Sequence, residues 1–302
     1  SENLCHLWIL RDESIMSIYK NETTDRISGS PKLETIIAFG ETPLADRLLR
    51  ADQLDEPDLK APLTLVFCPD TSLAQIRETV KPEILFFAEY PYFSSVSQSL
   101  LKHFRESAEY IMDTRPLGPG SLVLEAASND GYMLKNFAER GIPVLGIDPS
   151  IAPATAAQEA GIPTMITFFT RDLAQQLVEE GKAADVFLAN NVLAHVPDLN
   201  GFVAGIKTVL KPTGVAVIEC PYVVDLVDHV EFDTIYHQHL CYYSVTALDK
   251  LFRQHGLYLN DVKRTKIHGG SLRLFVEPIE NVGPVVTELL ATVTPEQLAA
   301  AY

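Results

Sequence analysis

Apolar residues fall into short runs, separated by stretches in which they recur at helical intervals. Residues 121–124 form an apolar run that ends at Glu125 and passes through Ala126, Ala127, Ser128 and Asn129 into an Asp130-Gly131 turn. Met133, Leu134 and Phe137 then share one helical face. Residues 144–147 form a second run ending at Asp148, 23 positions after Glu125. Further strands are predicted at 164–168, 185–189 and 215–218, with helices over 172–180, 202–210 and 246–255 between or after them. Residues 258–262 and 271–276 read as an antiparallel hairpin. Alternating strands and helices predict an α/β, Rossmann-like fold: a mostly parallel seven-stranded sheet closed by that hairpin, with helices on both faces.

Upstream, the pattern is less regular. Residues 44–54 carry helical spacing, 63–68 read as a strand, and 97–112 as a helix with Leu100, Leu101, Phe104, Ala108 and Ile111 on its apolar side. Leu117-Gly118-Pro119-Gly120 breaks the chain before the core. The expected organisation is an N-terminal lid or substrate region at 1–116, a cofactor-binding core at 117–278, and a tail or linker at 279–302.

Composition narrows the partners. The chain has 302 residues with 40 acids against 24 bases, a net charge of -16, and a surface of that sign repels nucleic acid. Cys5, Cys68, Cys220 and Cys241 form no C-x-x-C pair, so neither a disulfide framework nor a complete cysteine zinc site follows. No apolar run reaches membrane-spanning length and no signal peptide opens the chain, so a cytoplasmic location is expected. The first residue is not Met, which fits a segment cut from something longer.

The first strand-to-helix turn lacks G-x-G-x-x-G. Small residues led by an acid suit S-adenosylmethionine, which brings a cationic amino acid and no phosphate. Asp148, at the tip of the second strand, stands where ribose hydroxyls are held in such folds.

Six of the eight histidines follow position 190. His195 lies just past the fourth strand, and 231–239 (Glu-Phe-Asp-Thr-Ile-Tyr-His-Gln-His) lies past the fifth. Ligands in open α/β sheets bind beyond the carboxyl ends of the strands. The His237-x-His239 spacing would also suit a metal, but no third ligand stands nearby, so no metal is assigned. A neutral imidazole that removes an acceptor proton explains the cluster more simply, with Tyr236, Glu231 and Tyr90 orienting it or polarising the substrate.

These stretches carry a resemblance. Residues 125–131 (Glu-Ala-Ala-Ser-Asn-Asp-Gly), 190–197, 231–239 and His268-Gly269-Gly270-Ser271 resemble the sugar C-methyltransferase family, which methylates nucleotide-linked keto-deoxysugars with S-adenosylmethionine. The resemblance implies a class I methyltransferase. Its cofactor site would be lined by Glu125, Ala127, Asn129, Asp148, Asn190 and Asn191, with Phe168 and Phe169 flanking the adenine. It implies His239 as the base, with His195, Tyr236, Tyr90 and Glu231 around the reacting centre.

The chain departs from that family in three ways. The family's N-terminal zinc module has paired C-x-x-C motifs, whereas Cys68-Pro69-Asp70-Thr71 lacks its second cysteine and no first pair exists. Gln238 replaces an active-site Glu. The sugar enzymes also continue beyond the hairpin into another domain. These departures resemble O-methyltransferase domains of modular polyketide synthases, which methylate a β-hydroxyl on a carrier-tethered acyl chain. That resemblance implies an acyl carrier protein or flanking synthase domains as partners. The alternatives are a nucleotide sugar as acceptor, or a non-catalytic scaffold.

Overall fold

The computed structural model describes residues 18–46, 49–55, 57–85 and 93–292. Tyr90, one of the expected catalytic residues, lies outside them.

The N-terminal region is built from strands: β1 (Tyr19–Asn21), β2 (Glu34–Pro43), β3 (Lys60–Cys68), β4 (Leu73–Ile76) and β5 (Glu78–Val80), followed by the short helix α1 (Pro82–Leu85). The helix expected over 44–54 is absent from its described part, which holds only a 3-10 turn at Ala51–Gln53. Leu44 is buried against Ala61, Val80 and Leu85, while Leu49 and Leu54 are exposed, so the described residues of this stretch share no buried apolar face.

Helix α2 (Gln98–Thr114) begins at Ser97, whose hydroxyl accepts from the Leu100 amide. It falls on the N-terminal side of the boundary drawn at 116. Yet Phe104, Ala108 and Ile111 pack against Val123, Val186 and Val217 of the central sheet, so this helix covers one sheet face.

The central sheet takes β6 (Val123–Ala126), α3 (Lys135–Ala138), β7 (Val144–Asp148), α4 (Ile151–Glu159), β8 (Thr164–Ile166), α5 (Arg171–Glu179), β9 (Ala184–Asn190), α6 (Leu199–Val209) and β10 (Leu210–Pro221). After α7 (Val223–His229), β11 (Cys241–Tyr242) and α8 (Val245–Gln254) come β12 (Tyr258–Thr265), β13 (Ser271–Glu277) and α9 (Pro284–Thr292). The strand order is β12-β13-β10-β9-β6-β7-β8. Neighbours from β10 to β8 are parallel, and β13 is antiparallel to both β10 and β12. This is the Rossmann-like class I arrangement expected from the sequence.

Three expectations change in detail. The third strand stops at Ile166, before Phe168. The turn at 211–214 is carried within β10 as a register shift between Leu210 and Val215. The stretch read as a tail contains α9, whose Val286 is fully buried in the main core.

One further connection positions the site. β11 lies outside the central sheet and pairs with β4, completing the sheet β11-β4-β3-β2. Leu63, Leu65, Phe67 and Ile76 of that sheet share a continuous core with Leu240, Tyr242 and Tyr243. The stretch from α7 to β11 is therefore clamped between two sheets. No helix among the described residues is long and apolar enough to cross a membrane.

Candidate active site

The order of strands reverses between β6 and β9, and open α/β folds bind ligands at such a point, beyond the strand ends. A cavity of about 860 Å³ lies there, lined from both the cofactor loops and the stretch after β10.

Its first wall follows β6. Ala127 and Asn129 take left-handed backbone angles (φ 51° and 50°), as does Asn191 after β9 (φ 55°). Non-glycine residues hold this conformation at a cost, and such strain concentrates at binding loops. Gly146 of β7 allows the turn to close, since a Cβ there would lie 2.4 Å from Ser128 Oγ. Asp148 receives backbone N–H bonds from Asn129 on one oxygen and Ser150 on the other, each 2.8 Å. Burial nevertheless raises its pKa above the usual carboxylate value.

Of the expected cofactor residues, Ala127, Asn129, Asp148, Phe168, Phe169, Asn190 and Asn191 line the cavity. Glu125 is fully buried outside that lining, and its Oε1 accepts from Asn190 Nδ2 at 3.0 Å. Burial pushes its pKa well up. The two phenylalanines differ: Phe168 is partly exposed, while Phe169 packs against Phe187 and Phe202, its ring centroid 4.8 and 5.4 Å from theirs. Phe168 is thus the freer of the two to meet a planar group.

These residues fit S-adenosylmethionine. In the lining, Asn191 Oδ1 is a buried acceptor without a hydrogen-bond partner, and Asp148 presents a carboxylate, a set that favours a ligand bringing hydroxyls and a cationic amine.

The second wall carries the predicted proton-transfer residues. His239 Nδ1–H donates to the Thr234 carbonyl at 2.8 Å, which leaves Nε2 as the acceptor, 3.0 Å from the Tyr236 hydroxyl. His195 Nδ1–H donates to the Gln238 carbonyl at 2.8 Å. The two imidazole centroids are 4.9 Å apart. Burial lowers the His195 pKa to about 4. Burial first, and then the neighbouring His195, lower that of His239 to about 3. Both rings are neutral near pH 7 and can accept a proton.

Glu231 also lines the cavity, close to His229, and its carboxylate lies where a side chain at Gly269 would stand. His237 does not reach the cavity. It bonds the Pro62 carbonyl at 2.9 Å, tying this stretch to the N-terminal sheet. Gln238 lines the cavity, and its side-chain Nε2 is buried and without a hydrogen-bond partner.

Sequence reading missed Tyr222 and Leu226 on this wall. Tyr222 is buried, its hydroxyl has no partner, and burial raises its pKa to about 12. The signal was its place immediately after β10, where the strand-end rule applies. Glu219, another acid at a strand end, is excluded from proton transfer with substrate. It is fully buried and held by Arg273 Nε at 3.0 Å and His103 Nε2 at 2.8 Å.

Residues 101–262 match the methyltransferase domain family, and 26–86 match a zinc binding domain family. Over 269 residues the chain is 33% identical to C-methyltransferase NovU of Streptomyces niveus, covering 88% of this chain and 64% of that enzyme. A ubiquinone biosynthesis O-methyltransferase of Hahella chejuensis is 32% identical over 103 residues, covering 33% of this chain and 43% of that enzyme. The chain thus spans less than two thirds of the length of these relatives. Among solved structures, a magnesium protoporphyrin IX methyltransferase from Synechocystis PCC 6803 with bound SAH aligns with 16% identity and a TM-score of 0.48, covering 60% of this chain and 87% of that one.

Proposed function

This chain belongs to the methyltransferase domain family, with S-adenosylmethionine as its cofactor, and from that premise we propose that it methylates a hydroxyl oxygen on an uncharged acyl chain tethered to a carrier protein. The observation that carries the choice of acceptor is the charge of the cavity wall. Among the described residues it holds Asp46, Glu83, Asp148, Asp198, Glu231 and Asp233 against the single guanidinium of Arg171. Such a wall attracts a sulfonium and repels a nucleotide diphosphate. Leu100, Phe104 and Leu226 add apolar surface suited to an acyl chain.

When bound, the cofactor supplies an electrophilic methyl group on a sulfonium. Asp148 would hold the ribose hydroxyls and Asn191 would supply an acceptor for a polar group of the ligand, while Glu125, behind the lining, holds Asn190 in place. Phe168 offers a flat face to the adenine. His239 takes the acceptor's hydroxyl proton at Nε2, either directly or through Tyr236, whose hydroxyl already faces that nitrogen. The Thr234 carbonyl holds the ring in the tautomer that leaves Nε2 unprotonated. His195 orients the acceptor oxygen beside it. Gln238 leaves the neighbourhood of the base without the carboxylate that the sugar enzymes carry.

A second reading, C-methyl transfer to a nucleotide-linked keto-sugar, is favoured by the similarity to NovU. The two separate in one assay. The protein is incubated with S-adenosylmethionine and either a β-hydroxyacyl carrier protein or a nucleotide keto-deoxysugar, and mass spectrometry reads the gain of one methyl group. Methylation of the carrier-bound chain alone supports the proposal; methylation of the sugar alone overturns it.

A further inference from the structure

Residues 26–86 match a zinc binding domain family, yet among the described residues no three His, Cys, Asp or Glu side chains converge as a metal site. Zinc does not fit the described residues. We infer that Asp25, Ser28, Cys68 and Thr71 occupy the four ligand positions of a tetrahedral zinc site, and that a hydrogen-bonded clasp centred on Asp25 does the metal's structural work.

The inference rests on two turns that repeat one another. Asp25-Arg26-Ile27-Ser28 and Cys68-Pro69-Asp70-Thr71 both carry the spacing of C-x-x-C. In each, the amide four residues on returns to the first carbonyl: Gly29 N to Asp25 O at 2.9 Å, and Ser72 N to Cys68 O at 2.8 Å. That fourth residue is left-handed in both, with φ of 74° at Gly29 and 63° at Ser72. In each, the hydroxyl at the second ligand position accepts the amide two residues on: Ser30 N to Ser28 Oγ at 3.2 Å, and Leu73 N to Thr71 Oγ1 at 3.3 Å. Two metal-binding knuckles are present in backbone form, with one thiol left among their four positions.

Three of the four side chains, those of Asp25, Ser28 and Thr71, meet between the turns. Thr71 Oγ1 donates to Asp25 Oδ1 at 3.0 Å, across from the other turn. Asp25 Oδ2 accepts from both Ser28 N and Ser28 Oγ, each at 2.7 Å. Asp25, Cys68 and Thr71 are all buried. At the rim, Ser30 Oγ donates to Asp70 Oδ2 at 2.7 Å and Lys32 Nζ lies 2.9 Å from Asp70 Oδ1, a second bridge between the turns. One carboxylate that takes three donors from two turns replaces an ion shared by four thiolates.

The test restores the cysteines. The full chain and its Asp25→Cys/Ser28→Cys/Thr71→Cys variant are each purified with zinc, and with cobalt(II) as a spectroscopic probe. The expected result is no stoichiometric zinc in the parent chain and about one per chain in the variant, with thiolate charge-transfer bands and a tetrahedral cobalt spectrum. A folded variant that takes up no metal, or a parent chain carrying one zinc, overturns the inference. Thr71→Val tests the clasp independently of whether the triple variant folds. Loss of the bridging donor should lower Tm by roughly 3–10 °C while leaving S-adenosylmethionine affinity unchanged, and an unchanged Tm overturns the clasp.

Discussion

The Tyr236 hydroxyl lies 3.0 Å from His239 Nε2, and the other ring nitrogen is committed to the Thr234 carbonyl. The imidazole is therefore fixed as a proton acceptor on one defined side, with a phenol already aligned to it.

His239→Ala should lower turnover by about 10²–10⁴-fold while leaving S-adenosylmethionine affinity nearly unchanged, because His239 lies on the acceptor wall. His195→Ala should cost less. Single-turnover kinetics of the two variants check the order, and a His239 variant that keeps parental turnover would remove this residue from the base position.

The lowered pKa values set the pH profile. A base needs its neutral form, so activity falls only as pH drops through the pKa of the folded state. With His195 near 4 and His239 near 3, the acid limb of kcat/KM should lie below pH 5 rather than near the ordinary histidine value. A limb centred near 6.5, with circular dichroism unchanged over that range, contradicts the assignment.

Gln238→Glu should move that limb upward. A carboxylate near the two rings favours the imidazolium, raises the pKa, and so requires a higher pH to regenerate the neutral base. The same kcat/KM profile reads the shift, and a limb that stays in place would mean that position 238 does not communicate with the base.

Asp148→Ala should weaken S-adenosylmethionine binding by roughly tenfold or more, the loss of a charge-assisted hydrogen bond worth about 1.5–3 kcal/mol. Calorimetry measures it directly. Equal affinity in a folded variant would remove Asp148 from the cofactor site.

The core was legible in the sequence because its parallel strands carry short apolar runs that close on polar residues: Glu125, Asp148, Asn190 and Glu219 lie at the ends of their strands or within two positions of them. The residues expected around the cofactor followed from the same rule, and seven of those eight line the cavity. The tertiary roles of individual polar groups did not. Nothing in the periodicity distinguishes Glu219, sealed by Arg273 and His103, from Glu231 at the cavity. Likewise His237 and His239 share an H-x-H spacing, yet one anchors the N-terminal sheet and the other meets Tyr236. The N-terminal turns were hidden for a different reason. Their signature is cysteine, and three of the four positions hold other residues, so only the hydrogen bonds around Asp25 expose the relationship.

In the proposed reaction the methyl group goes to oxygen. The most direct measurement uses S-adenosylmethionine labelled with ¹³C at its methyl group, a β-hydroxyacyl carrier protein as acceptor, and NMR of the released acyl product. A single labelled resonance in the methoxy region is expected, lost when His239 is replaced by Ala. A labelled resonance in the C-methyl region, or labelling that persists undiminished in the His239 variant, would contradict it.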